Sequence, residues 1–122
     1  MAKAKQDQRR EQRIEQEIVV DAYDADERAM GWHSYLEDKL RFPFRAQCIA
    51  QRAISPLRKG EEVEVVDIAP ADECAHEMFV TVSWENRSLA VPFAQLRALK
   101  ADQATSQAVE DWHYWLAQGY DF

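Results

Sequence analysis

The chain has 122 residues, of which 47% are hydrophobic and 30% charged, and its net charge at pH 7 is -7. This length suits one domain that buries its own core, so folding requires neither a disulfide nor a structural metal. The negative charge argues against a general nucleic-acid binder, because neutralising phosphates requires a basic face, and no apolar run reaches the ~18 residues of a membrane span.

Residues 1–15 are predicted to be a charged, flexible leader, because they carry five basic residues and almost no apolar ones. They lack the apolar segment of a secretory signal, so we expect a cytoplasmic protein.

Residues 16–122 are predicted to form a single domain that opens with two helices over 16–40. Apolar residues recur at helical spacing from Ile14 to Tyr23. The second helix follows Asp24, an N-cap with Glu27 three residues later, and Pro43 ends it.

Residues 44–92 change to the two-residue period of half-buried strands. In the first strand every second residue from Phe44 to Ala50 is apolar. Three more strands are predicted, with a turn at Glu85–Arg87 before the last of them: Val63–Ile68, Met78–Trp84 and Leu89–Val91. Short strands with a tight hairpin, between helices at both ends, indicate an α+β fold. We predict a small SH3-like half-open β-barrel flanked by N-terminal and C-terminal helices.

Residues 93–122 are predicted to be a C-terminal helical segment, with a turn of helix at 93–99 and then a longer helix. Thr105 is the predicted N-cap of the longer helix, and Gly119 occupies its C-terminal cap. Its apolar stripe consists of Ala108, Val109, Trp112, Trp115 and Leu116. We interpret the aromatic residues as core and cover of the barrel; a peptide-binding groove is the alternative. Asp111 is predicted to position the helix through a hydrogen bond.

An acidic stretch between residues 61 and 77 contains no Lys or Arg, although it has the pattern of a strand. Its carboxylates are Glu61, Glu62, Glu64, Asp67, Asp72, Glu73 and Glu77. Two unit charges ~4 Å apart repel by roughly 4 kcal/mol at the effective dielectric of a protein surface. The stretch is therefore either fully solvated or a binding site for a cation.

Other chemistries find weaker support in the sequence. The three histidines lie on different elements, and no nucleophile turn or clustered glycines for a phosphate loop occur, so we predict no enzyme. Cys74 and His76 lack the second pair of ligands that a zinc site needs, and Cys48 and Cys74 are interpreted as buried thiols. The EF-hand pattern of oxygen ligands, Gly at position 6 and Glu at position 12 fails from both Asp21 and Asp24.

Six blocks of sequence carry a resemblance to a known family. They are Gly31-Trp32-His33-Ser34-Tyr35-Leu36-Glu37-Asp38, Phe42-Pro43-Phe44-Arg45-Ala46, Ser55-Pro56-Leu57 with Gly60, Val80-Thr81-Val82-Ser83-Trp84, Leu89-Ala90-Val91-Pro92-Phe93 with Leu96, and Asp111-Trp112-His113-Tyr114-Trp115 with Gly119-Tyr120. Together they resemble the CcbP family of cyanobacterial-type calcium-binding proteins over roughly 19–122. The resemblance implies a small β-barrel protein that binds Ca²⁺ through surface carboxylates, without EF-hands, and buffers or senses the ion in the cytoplasm.

The calcium ligands are predicted from chemistry, because the shared blocks are mostly aromatic, proline and aliphatic residues. Carboxylates at the end of the second helix oppose the negative end of its dipole, which a bound cation would relieve. Others lie on one strand face or bracket the loop that contains Pro70. The predicted ligands are Glu37, Asp38, Glu62, Glu64, Asp67, Asp72 and Glu73. A solvated surface is the alternative for each, and an acidic module that binds a basic protein partner is the alternative function.

Overall fold

The computed structural model describes residues 7–120 and 122. The helices are α1 (Gln8–Arg13), α2 (Ala25–Lys39) and α3 (Gln103–Ala117). The strands are β1 (Phe44–Cys48), β2 (Glu62–Ile68), β3 (Phe79–Trp84), β4 (Arg87–Pro92) and β5 (Leu96–Lys100). A π-helical turn (Ile14–Ile18) continues α1, and 3-10 turns occur at Ala71–Cys74 and Phe93–Gln95. The α+β fold is confirmed, and none of the helices described here is long and apolar enough to cross a membrane.

The five strands form one antiparallel, open sheet in the order β4-β3-β2-β1-β5. The predicted alternation of β1 is confirmed, because Phe44, Ala46 and Cys48 are buried. In β2 the pairing register shifts between Val65 and Asp67. The extra residue explains why the inward-facing positions skip from 65 to 68.

Strand β5 is a correction, because residues 93–99 were predicted to be helical. Only Phe93–Gln95 form a 3-10 turn, and the chain then continues as a strand beside β1. Phe93, Leu96 and Leu99 recur every three residues, a spacing close to the helical period. Within the strand, however, only Leu96 is nearly fully buried. Pairing with β1 therefore decides the structure of this segment.

The N-terminal segment differs from the expected flexible leader. Residues 8–18 are helical, and Ile14 and Ile18 are buried in the core. The helix ends earlier than predicted, since Asp21 has a φ of 56° and Tyr23 is 84% exposed. Residues 1–6 of the expected leader lie outside the described residues.

The caps of the helices follow the sequence in part. Asp24 caps α2 as predicted, because its side chain accepts a hydrogen bond from the amide of Glu27 at 2.8 Å. The N-cap of α3 is Asp102 rather than Thr105, and the amide of Thr105 donates to the Asp102 carboxylate at 2.8 Å. Gly119 follows α3 with a φ of 85°, as a C-terminal cap requires.

The core lies between the sheet and the helices. Trp32 of α2 packs edge-on against Trp112 of α3, with ring centroids 5.0 Å apart. Both side chains are almost completely buried, and the inward-facing residues of β1 to β3 complete the cluster. The interpretation of the C-terminal aromatic residues as core is therefore confirmed for Trp112 and Trp115.

Candidate metal centre

Asp38 lies at the exposed end of α2, beside a surface concavity of about 420 Å³. The residues that line it are Glu17, Ile18, Val20, Gly31, Ser34, Tyr35, Asp38 and Lys39. The Asp38 carboxylate is 76% exposed, and its Oδ2 lies 3.6 Å from Lys39 Nζ. The concavity therefore brings together two carboxylates, those of Glu17 and Asp38, with the Ser34 hydroxyl. Glu37, the neighbour of Asp38, is exposed and does not line it.

Sequence reasoning missed Glu17, which is not among the predicted ligands. The backbone of the π-helical turn packs closely against the backbone of α2, and this contact brings Glu17 beside α2. A Cβ added to Gly31 would lie 2.2 Å from the carbonyl oxygen of Ile18. The absence of a side chain at Gly31 thus permits the contact, and this glycine was the one available signal.

Glu62, Glu64 and Asp67 share the outer face of β2, since the alternate residues point into the core. Glu62 and Glu64 are two residues apart, which separates their Cα atoms by ~6.6 Å along a strand. Arg45 of β1 pairs with Glu64 in the strand register, and its Nη2 lies 3.4 Å from Glu62 Oε1. Sheet pairing therefore supplies a cation that the local sequence lacks.

Two further carboxylates of the acidic stretch are occupied by contacts from other segments. Arg52 makes a two-pronged ion pair with Glu77, with N to O distances of 2.8 and 2.9 Å. This pairing raises the pKa of the Arg52 guanidinium. The Glu61 carboxylate accepts from the amide of Arg58 at 2.5 Å. The acidic stretch is thus partly neutralised and does not act as one cluster.

Asp72 and Glu73 lie in the 3-10 turn that follows β2, and both are exposed. Asp72 faces a concavity that it shares with Asp26 of α2, whereas Glu73 lines a separate one beside Phe79. The predicted ligands therefore fall at three places: the end of α2, the outer face of β2 and the 3-10 turn. Within residues 7–120 and 122, no three His, Cys, Asp or Glu side chains form a group that could hold a metal ion.

Asp111 is buried at the centre of a charged network, and the structure shows the positioning role that the sequence predicted. Its carboxylate accepts from Arg10 at 2.9 Å, from Arg13 at 2.7 and 3.1 Å, and from the Tyr35 hydroxyl at 2.8 Å. The hydrogen bond to Asp111 raises the pKa of Arg13, while burial and then the hydrogen bond to Asp111 raise the pKa of Tyr35. Four hydrogen bonds occupy both carboxylate oxygens, so Asp111 has no free oxygen for a metal ion.

Two of the histidines, His33 and His113, and both cysteines make contacts within the fold. His33 Nε2 donates to the carbonyl of Ala69 at 2.8 Å, and His113 Nε2 donates to that of Leu96 at 2.6 Å. Both cysteines are free and buried, as predicted. Burial raises the pKa of the Cys74 thiol. Cys74 and His76 thus form no zinc pair, since His76 is exposed and Cys74 is buried.

A family model described as calcium binding, that of the CcbP proteins, matches residues 12–116. This chain belongs to the CcbP family. The crystal structure of Anabaena CcbP is 41% identical over 100% of both chains, with a TM-score of 0.88. A calcium-binding protein in its calcium-binding form is 40% identical over 100% of both chains, with a TM-score of 0.87. No curated protein matches the chain.

Membership in the CcbP family confirms the resemblance carried by the six sequence blocks. The match to the family begins at residue 12, seven residues before the stretch over which those blocks were found. It therefore includes Arg13 and Ile14, which the sequence had assigned to the leader. The identities of the calcium ligands stay a prediction.

Proposed function

We propose that this CcbP-family protein binds Ca²⁺ through surface carboxylates and buffers or senses the ion without catalysing a reaction. The observation that carries the proposal is the full-length likeness to a protein in its calcium-binding form, at 40% identity. The chemistry agrees, because Ca²⁺ takes six to eight hard oxygen ligands, chiefly carboxylates, carbonyls and water. The net charge of -7 attracts cations to the whole surface.

The concavity at the end of α2 is the best supported site. It offers the carboxylates of Glu17 and Asp38 and the hydroxyl of Ser34, all hard oxygens. The last carbonyls of α2 lack helical partners and carry the negative end of the helix dipole. A bound cation would therefore relieve repulsion between Asp38 and these carbonyls, and Glu37 would add negative charge nearby.

The carboxylates on β2 and in the 3-10 turn are proposed as a weaker, second set of ligands. Glu62, Glu64 and Asp67 face solvent together, but Arg45 offsets part of their charge. Asp72 and Glu73 are exposed and could bind through water. Because these residues are separated from Asp38, any ion they hold would be distinct from the one at the end of α2.

A panel of variants tests the site assignment by calcium titration of chelator-treated protein. Asp38→Asn keeps the side-chain shape but removes a charge, and we expect it to weaken binding tenfold or more, which corresponds to about 1.4 kcal/mol. Glu17→Gln should also weaken binding clearly, and Asp67→Asn and Asp72→Asn less so. Glu85→Gln, in the exposed β3-β4 turn, is the control of equal charge change.

The opposing result is equally specific. If calcium were held only by the diffuse negative field, all five variants would lose a little affinity alike, and salt would erase the differences. The Debye length is about 8 Å at ~0.15 M salt, so interactions between more distant charges are largely screened. Equal small losses of affinity in this salt would therefore show that the assignment to Asp38 is wrong.

The finer description of the fold is also a proposal. We infer an SH3-like barrel because β5 follows a 3-10 turn and pairs with β1 at the far side of the sheet from β4. We infer a single domain because residues from the π-helical turn, α2, α3 and the sheet share one core cluster. A cytoplasmic location is supported by the two buried free thiols, which suit a reducing compartment.

A further inference from the structure

Met30 lies in a second concavity, between α2 and the 3-10 turn, far along α2 from Asp38. The concavity has a volume of about 370 Å³ and is lined by Asp26, Ala29, Met30, Ala71, Asp72 and Ala75. Met30 is 65% exposed, whereas the other large apolar residues of α2, Trp32, Tyr35 and Leu36, are buried. Its thioether therefore contributes an accessible apolar surface that the core of the protein does not use.

The rim of this concavity is negative. Asp26 projects from α2 and Asp72 from the 3-10 turn, and neither forms an ion pair within residues 7–120 and 122. No Lys or Arg is among the lining residues. The nearest basic residue in α2, Arg28, donates to the backbone carbonyl of Phe122. Further negative charge comes from Asp24, the N-cap of α2, from Glu27 in its first turn and from Glu73 in the 3-10 turn.

The combination of walls and rim decides which kind of ligand fits. A calcium ion needs six to eight oxygens, whereas here two carboxylates stand over walls of methionine and alanine. The volume is at the lower end of ligand pockets, ~300–1,000 Å³, which suits one or two protein side chains. Small alanines leave room for a guest side chain, and methionine adapts its shape to different apolar partners.

We propose that this concavity, the Met30 concavity, docks a basic segment of another protein. One aliphatic or aromatic side chain of the partner packs against Met30 and the alanines. Lys or Arg residues beside it face Asp26 and Asp72. Charge complementarity selects the basic partner and speeds its association, while the apolar contact discriminates against peptides that carry charge alone. This interaction is independent of the proposed calcium site at Asp38.

The test is a titration of the full-length, isotope-labelled protein with defined peptides in the presence of a chelator. The NMR chemical shifts of the backbone amides are measured at each step. The probes are KKLKK, KKSKK and EELEE, each blocked at both ends. We expect KKLKK to shift the amides of Met30, Ala71 and Ala75 saturably, with a dissociation constant of up to ~5 mM. KKSKK should bind at least about threefold more weakly, and EELEE should shift none of these amides.

Two variants and a matched control localise the contact. Asp72→Asn should weaken KKLKK about twofold to fivefold, as expected for an exposed ion pair, and Met30→Ser about fivefold or more through the lost apolar contact. Both residues are exposed, so both variants should keep the wild-type melting temperature. Glu85→Gln changes the same charge in the β3-β4 turn and should leave the affinity unchanged.

Four outcomes would overturn the proposal. The first is that none of the peptides produces saturable shifts, and the second is that KKSKK binds as well as KKLKK, since only diffuse charge would then act. The third is unchanged affinity in the Met30→Ser variant. In the fourth, Ca²⁺ alone shifts the same amides as strongly as is proposed for the Asp38 site and loses that effect in Asp72→Asn, so that the concavity is a main metal site and not the weak second one. If calcium does not bind at Asp38, each of these four measurements still tests the docking proposal, so the two proposals can fail separately.

Discussion

Arg13 holds Asp111 with two hydrogen bonds, from Nη2 at 2.7 Å and from Nε at 3.1 Å. The two residues are 98 positions apart, so this contact joins the N-terminal helix to the C-terminal one. The Asp111 side chain is completely buried, whereas the Arg13 side chain is 22% exposed. The buried carboxylate is therefore the anchor, and the partly hydrated guanidinium is the group that the N-terminal segment contributes.

Asp111→Asn should destabilise the protein by about 2–4 kcal/mol, because it removes the charge that Arg10 and Arg13 share. We expect a smaller loss of stability than the largest values for breaking a buried ion pair, because the guanidinium groups of Arg10 and Arg13 keep some contact with water. Urea unfolding measures the free energy directly.

The neighbouring Glu110→Gln variant is the matched control. Its carboxylate is 67% exposed and lies 3.8 Å from Arg10, so its loss should change the stability by less than about 0.5 kcal/mol. Similar losses in the Asp111 and Glu110 variants would contradict the view that Asp111 anchors the N-terminal helix.

The raised pKa of the Tyr35 hydroxyl leads us to expect that the protein loses stability at alkaline pH. Burial, and then the hydrogen bond to Asp111, raise the pKa of Tyr35 above its ordinary value of 10.0. The folded protein therefore keeps this proton where the unfolded chain releases it. The contribution to stability is complete below pH 10 and declines as the pH rises above 10, by at most about 1.4 kcal/mol per pH unit for one proton.

Urea unfolding of wild type and Tyr35→Phe between pH 8 and 11 tests this sign. The variant should be less stable at pH 8 by about 1 kcal/mol, for the lost hydrogen bond, and its stability should fall less steeply above pH 10. Some slope should remain, because the pKa values of Tyr114 and Tyr120 are also raised, chiefly by desolvation. Parallel curves for the two proteins would refute the assignment to Tyr35.

Gly31→Ala should lower stability, against the usual effect of this change within a helix. Alanine normally favours a helix over glycine by about 0.5–1 kcal/mol. Here the new Cβ would lie 2.2 Å from the carbonyl oxygen of Ile18, so the π-helical turn must move. We expect a loss of about 1–3 kcal/mol, together with weaker calcium binding as Glu17 shifts relative to Asp38.

Thermal melting gives the sign of the Gly31 effect, and calcium titration of the same variant gives the change in affinity. A higher melting temperature for Gly31→Ala would show that the turn tolerates the methyl group. Unchanged affinity in a destabilised variant would separate the packing contact from the calcium site.

Features with a local cause were predictable from the sequence. The N-cap at Asp24 needs only the amide three residues away, and the burial of alternate residues in β1 follows from a period of two. The six residue blocks together identified the family, and the one that contains Trp112 and Trp115 also identified residues of the core. In each case the residues that decide the structure are close together along the chain.

Features that depend on distant residues were missed. The N-terminal helix looked like a solvated leader because its partner, Asp111, follows it by about a hundred residues. Strand β5 exists because β1 pairs with it, and Arg45 reaches Glu62 only through the sheet. Glu17 and Asp38 line one concavity because two helices pack through Gly31, which no spacing along the chain reveals.

Isothermal titration of the chelator-treated, full-length protein with Ca²⁺, and with Mg²⁺ as competitor, tests the central claim most directly. We predict saturable calcium binding at micromolar to sub-millimolar strength, between about -8 and -4 kcal/mol. Magnesium should bind much more weakly, because exposed carboxylates without an octahedral frame suit the larger ion. Absence of a saturable calcium heat at millimolar concentrations of the ion would contradict the proposed function.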